Sequence, residues 1–172
     1  LIGGGLSGLD VRGDSVAVGG FTGTIDAHAA DVRLGDPVRV GALEGTVDLH
    51  GAELAELLRT AANEQGLPLT EVRFGDGELD SRAEIDLFGV VIGADIGSRL
   101  ELRSGGRLQV QATSISLDAG GFGGGLDLDP ASFSMEFCLA EHLPANLEIT
   151  SVRVHPDGLE IGVRTTGPFE TT

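Results

Sequence analysis

Lysine is missing from this 172-residue chain, as are tryptophan and tyrosine, and cysteine and methionine occur once each. Each gap closes off a class of function. All 11 basic residues are arginines, set against 27 acidic ones, for a formal net charge of −16. Nucleic acid backbones are held by clustered Lys and Arg, so a nucleic-acid partner is excluded. Headgroup attraction to an anionic membrane needs a polybasic patch, which is missing too. One cysteine permits no intrachain disulfide, and Cys138, set among the apolar neighbours of FSMEFCLA, reads as an inert, buried thiol. No run of 18 apolar residues occurs that would span a membrane as a helix. The first residue is Leu1 rather than Met, which suits a trimmed chain with room upstream for a signal peptide or anchor.

Catalytic and metal signatures are equally scarce. There is no G-x-S-x-G elbow, and the glycines at 120 to 125 are followed by no Lys, so they make a poor phosphate cradle. His28, His50, His142 and His155 lack the spacing of a metal site. The segment GGFGGGLDLD occurs once, without the copies a calcium-binding repeat needs, and residues 119–130 read as a Gly-rich loop in which Asp127 and Asp129 could hold calcium only weakly. So many acidic residues on a sheet surface guarantee chance carboxylate pairs, and no catalytic dyad stands out among them. No catalytic residue, cofactor or metal is expected.

What the chain does have is alternation. In GELDSRAEIDLFG, residues 77 to 89, charges fill every even position from Glu78 to Asp86, while Leu79, Ala83, Ile85 and Leu87 take odd ones. Ser81 is the one polar residue on that odd face. This is a strand with a wet face and an apolar face. Val90, Ile92, Ala94, Ile96, Leu100 and Leu102 continue the apolar face, and SGG at 104 to 106 turns the chain into Leu108, Val110 and Ala112. Parity switches between Ala29 and Val32, and again before Ile115, predict inserted bulge residues. Hairpin tips are predicted at Asp76-Gly77 and at HPDG, residues 155 to 158.

One helix is predicted, over residues 51 to 66. Leu54, Leu57, Leu58, Ala61 and Ala62 recur at helical spacing, and Gly66 with Pro68 ends it. Hydrophobic residues make up 41% of the chain, enough for a real core in a single domain spanning residues 1–172. The expected fold class is α+β: a long, curved, mainly antiparallel meander sheet wrapped around one amphipathic helix. The residues alone leave the inward face open to two readings. It is the solid core of a structural or protein-interaction domain that binds through its acidic exterior, or it borders a groove.

Four stretches, GTVDLHGAELAELLR, LTEVRFGDGELDSRAEIDLFG, RLELRSGGRLQVQATSISLDAGG and LEITSVRVHPDGLEIGVRTTG, resemble in that order the actinobacterial LmeA-type phospholipid-binding domain. The likeness covers roughly residues 38 to 167; the N-terminal 35 residues fit the pattern less well, keeping only Phe21 of a Phe-rich segment. The resemblance implies a fold similar to tubular lipid-binding modules, with an acyl groove between curved sheet and helix, and no catalytic residues. It implies a cell-envelope, periplasmic or secreted protein that binds or transfers a phospholipid or fatty acyl ligand and touches a membrane transiently. The expected groove lining is Leu54, Leu57, Leu58 and Ala61 on the helix, with Phe74, Leu79, Ile85, Leu87, Ile92, Leu100 and Leu102 on the meander. An enzyme acting on envelope glycans or lipids through surface carboxylates is a further alternative.

Overall fold

In the computed structural model the described residues are 5–18, 21–87, 89–118, 129–143 and 146–171. The chain opens with two long antiparallel strands, β1 (Gly5–Val18) and β2 (Phe21–Arg33), then a short β3 (Val38–Val40) and β4 (Ala42–His50). Helix α1 (Gly51–Glu64) follows directly. The middle of the chain is β5 (Leu69–Phe74), β6 (Leu79–Leu87), β7 (Val90–Arg103) and β8 (Arg107–Asp118). A single 3-10 turn, Pro130–Ser132, leads into β9 (Ser134–Cys138), and another, Leu139–His142, leads on to the C-terminal strands. These are β10 (Leu147–His155), β11 (Gly158–Thr165) and β12 (Phe169–Thr171).

The α+β class is as expected: mostly antiparallel strands in curled half-barrel sheets with a single helix. The strands divide into two sheets rather than one, and only the second is a plain meander. The first is seven-stranded, ordered β10-β11-β4-β2-β3-β12 with β1 also on β2; the second is five-stranded, β5-β6-β7-β8-β9. Pairing of β11 with β4, Leu159 opposite Leu49 and Ile161 opposite Val47, closes the first sheet across more than a hundred residues. No local pattern announces a partner so distant, which is why alternation alone suggests a continuous meander.

Local signals hold more closely. Phe74 pairs with Leu79 around Gly77, which takes φ 84°, and His155 pairs with Gly158 across the HPDG turn. Asp31 sits at φ 53° at the first parity switch, and the ladder between β7 and β8 slips between Gly97 and Ser98, placing the second switch opposite that slip. Glu78 just before β6 and Asp80, Arg82, Glu84 and Asp86 on it are all exposed, while Leu79 and Ala83 are buried. Cross-strand pairs such as Arg82–Asp95 at 3.5 Å and Arg82–Asp118 at 3.4 Å lie on that outer face. Exposed pairs of this kind contribute little individually but disfavour a slipped register.

The helix buries one stripe, Leu54, Leu58 and Ala62, spaced a turn apart. Its first amide, Gly51 N, donates to the Asp157 carbonyl in the HPDG turn at 2.8 Å, satisfying a donor that helix geometry leaves without a partner. That close approach explains two glycines. A Cβ on Gly51 would meet Asp157 O at 3.1 Å, and one on Gly158, whose φ is 148°, would fall 2.0 Å from Leu49 O. At the other end Leu67 N donates to Ala62 O and Gly66 N to Asn63 O, with Gly66 at φ 82°. This is a Schellman stop, and it turns Leu67 back against Ala62. The helix ends two residues earlier than the sequence pattern because Gln65 and Gly66 belong to that cap.

The main core lies among the inner face of the first sheet, the N-terminal half of the helix and the β7–β8 turn end of the second sheet, with Leu49, Leu54, Leu108, Leu159 and Ile161 almost fully enclosed.

Candidate functional site

The inner face of the second sheet changes character along its length. Toward the β5–β6 and β7–β8 turns it carries large aliphatics: Leu79 and Leu108 are buried, and Leu100 and Leu102 lie partly buried beside them. Farther along, the inward positions shrink. Ser81, Ala83, Ala94, Ser98 and Ala112 all face inward on β6, β7 and β8, with Ser98 opposite Ala112 and Ala83 opposite Ala94. The helix contributes another small residue above them, Ala62. Small side chains on facing surfaces leave volume that close-packed interiors rarely leave empty.

That volume is a half-open cavity of about 270 Å³. Its floor is Ser81, Ile96, Ser98, Val110 and Ala112. One wall is the end of the helix and its cap, Ala62, Gln65, Gly66, Leu67 and Leu69; the other is the 132–135 segment, with Phe133 and Met135. Both walls are anchored by backbone. Glu84 N donates to Pro68 O at 3.2 Å, and Ala112 N to Phe133 O at 3.0 Å. The Asp129 carboxylate accepts from Ala131 N at 3.0 Å, capping the turn that delivers Phe133. Asp129 thus has a structural duty, whereas Asp127 lies outside the described residues.

Chemically the site is an apolar trough edged with hydroxyls and one amide. Among the described residues no charged side chain lines it. Two of its hydroxyls are already engaged, Ser81 Oγ donating to Ile96 O at 3.4 Å and Ser132 Oγ to Asp129 O at 2.6 Å. At about 270 Å³ it sits just below the roughly 300–1,000 Å³ usual for small-molecule sites, enough for a stretch of acyl chain rather than a whole phospholipid.

Of the residues expected from sequence to line a groove, none whose side chain is described lines this cavity. Leu54 packs in the main core with Leu57 and Leu102 against it. Leu58 and Leu79 form a second buried cluster, with Phe74 and Leu100 at its margin. Ala61 and Ile92 are half-buried outside the lining, and the side chains of Ile85 and Leu87 fall outside the described residues. The structure therefore brings Leu58, Phe74, Leu79 and Leu100 together as packed interior next to the space. The signal that locates the space is the run of small inward residues, including Ser81, the lone polar residue in an otherwise apolar register.

Elsewhere the polar groups serve the fold. His28 Nδ1 meets Asp10 Oδ1 at 2.7 Å on the exposed surface, and His155 Nδ1 accepts from Asp157 N at 3.3 Å inside its turn. Among the described residues no three His, Cys, Asp or Glu side chains converge as a metal site. Cys138 is half-buried and free. Glu53, in the first helical turn, accepts from the backbone N–H of Thr22 at 2.5 Å, and that bond holds its carboxyl below the usual range. No described helix is long and apolar enough to cross a membrane.

No curated protein and no solved structure matches this chain. A family model described as LmeA-like phospholipid-binding matches residues 1–164, nearly its whole length and including the N-terminal strands. The match spans far more than half of the sequence, and the chain belongs to the LmeA-like phospholipid-binding family.

Proposed function

We propose that this protein is a non-catalytic carrier that holds phospholipid acyl chain in the trough beneath the end of its helix, and that it serves in binding or transfer within the bacterial cell envelope. The observation that carries this reading is the cavity itself: about 270 Å³, with no charge on any described side chain that lines it, in a member of a phospholipid-binding family. Burial of each methylene contributes about 0.8 kcal/mol, so an acyl chain can supply affinity with no ionic contact. That suits a chain without lysine. The hydroxyl of Ser134 and the amide of Gln65 at the edge offer hydrogen bonds to the ester or headgroup region of a bound lipid. The envelope setting follows from the sequence resemblance alone, and fractionation of the native host should recover the protein with the envelope or in the medium.

Native mass spectrometry of freshly purified protein, followed by solvent extraction, tests the function. Phospholipid should be carried through purification or taken up from vesicles. A clean unliganded mass with no uptake would overturn the reading.

A further inference from the structure

We infer that the tip of the β6–β7 hairpin is the point at which this protein docks on a membrane, and that the surface it fits is an electrically neutral bilayer. The inference rests on the acyl-carrier reading. Val91 is 62% exposed, more than any other large apolar side chain among the described residues, and its neighbour Val90 is 54% exposed, level with Leu34. They are adjacent on a strand and so project to opposite faces. A tip that is apolar on both faces is not accounted for by covering a core. It is also preformed: the Asp86 carboxylate accepts from Gly89 N at 2.7 Å, and Gly89 takes φ 84°, a conformation that glycine reaches without strain.

The tip connects with the trough. Val90, Ile92, Ala94 and Ile96 share the inward face of β7, and Ile96 is part of the trough floor. At about 3.4 Å per residue this apolar track is roughly 20 Å long, so it joins the exposed end to the cavity along one strand face.

The choice of partner follows from charge and size. Glu84 and Asp86, both exposed, stand on β6 just behind the tip, on a chain of net charge −16, while Arg82 on the same face is already paired with Asp95 and Asp118. Anionic lipid is repelled by that collar, as is a second copy of the chain bearing the same collar. Two valines also fall far short of the roughly 800 Å² per partner that a stable dimer buries. A zwitterionic surface accepts the valines and leaves the carboxylates in water.

Flotation with phosphatidylcholine vesicles tests this, using wild type and the double variant Val90→Ser/Val91→Ser, which alters no residue of the trough. Wild type should float with the vesicles, the variant about tenfold less, and wild type less well when the vesicles also contain phosphatidylglycerol. A fluorescent acyl probe presented on cyclodextrin, without vesicles, should enter both proteins equally. Equal flotation of the two proteins, no flotation of wild type, or preference for phosphatidylglycerol would overturn the docking inference. If neither protein takes the probe from cyclodextrin, it is the acyl-carrier reading that fails, and flotation still decides the role of the tip.

Discussion

Ala112 separates cargo space from core at a single residue. Its methyl is buried, yet it faces the trough, opposite Ser98 across the β7–β8 ladder. In a filled interior, Ala112→Phe would overpack and cost about 1–3 kcal/mol. Here the ring has the cavity to enter. The melting temperature of the delipidated variant should hold or rise, while its affinity for a fluorescent acyl probe falls about tenfold or more; a destabilised variant with unchanged probe binding would place the lipid elsewhere. Glu53 gives the second residue-scale test. The Thr22 N–H stabilises its ionised form and lowers its folded pKa below the ordinary 4.5. Its contribution is therefore complete above pH 4.5 and disappears as the pH falls through the lowered value. Because the carboxylate is exposed, the effect is small. Glu53→Gln should flatten the acid limb of the melting-temperature profile below pH 4.5 and leave neutral stability reduced by the same small increment.

At the level of elements, the HPDG turn is the joint that fixes the helix to the first sheet. The turn supplies the carbonyl that receives Gly51 N, and Gly158 passes so near Leu49 O that no side chain fits. Gly158→Ala combines a backbone clash with an unfavourable φ, and should cost about 2–4 kcal/mol. For a chain of this size that is a fall of roughly 5–15 °C in melting temperature, read by calorimetry. A shift under about 2 °C would mean that β11 yields easily and that the helix is not held by this turn. The helix itself was legible as a sequence pattern because Leu54, Leu58 and Ala62 repeat on one face, and its end because Gly66 precedes Pro68. The hairpins were legible for the same reason: turn chemistry is local.

For the whole molecule, the two sheets and the helix enclose a solid core on one side and an open trough on the other. Ligand that binds only the folded state stabilises it by about 2.7 kcal/mol at a hundred times its Kd. Loading delipidated protein with phosphatidylcholine should then raise the melting temperature by about 5–10 °C. Ala112→Phe should abolish most of that rise, and an equal rise in wild type and variant would show that lipid acts outside the trough. The exposed acidic surface, with arginines such as Arg82, Arg99 and Arg103 paired across or along strands, plays no part in this response. Moderate salt should therefore leave it nearly unchanged.

Alternation, helical periodicity and turn residues are properties of a few neighbouring positions, so the central strands, the helix, two of the bulges and the wet face of β6 could be read from the chain alone, whereas the Gly-rich β1 and the short β12 could not. The overall α+β class and the family likeness followed from their order. Which inward residues fill space and which border it is not a local property. Leu58 and Leu79 carry the same apolar signature as a groove lining, but the helix docks where they stand and packs them away. The trough opens where Ala62 meets Ser98 and Ala112 from different elements, and that meeting depends on the Schellman stop, the β7–β8 slip and the closure of β11 on β4. Residues with less side chain mark the site, because a cavity is the volume that packing leaves, and only the tertiary structure decides where packing stops.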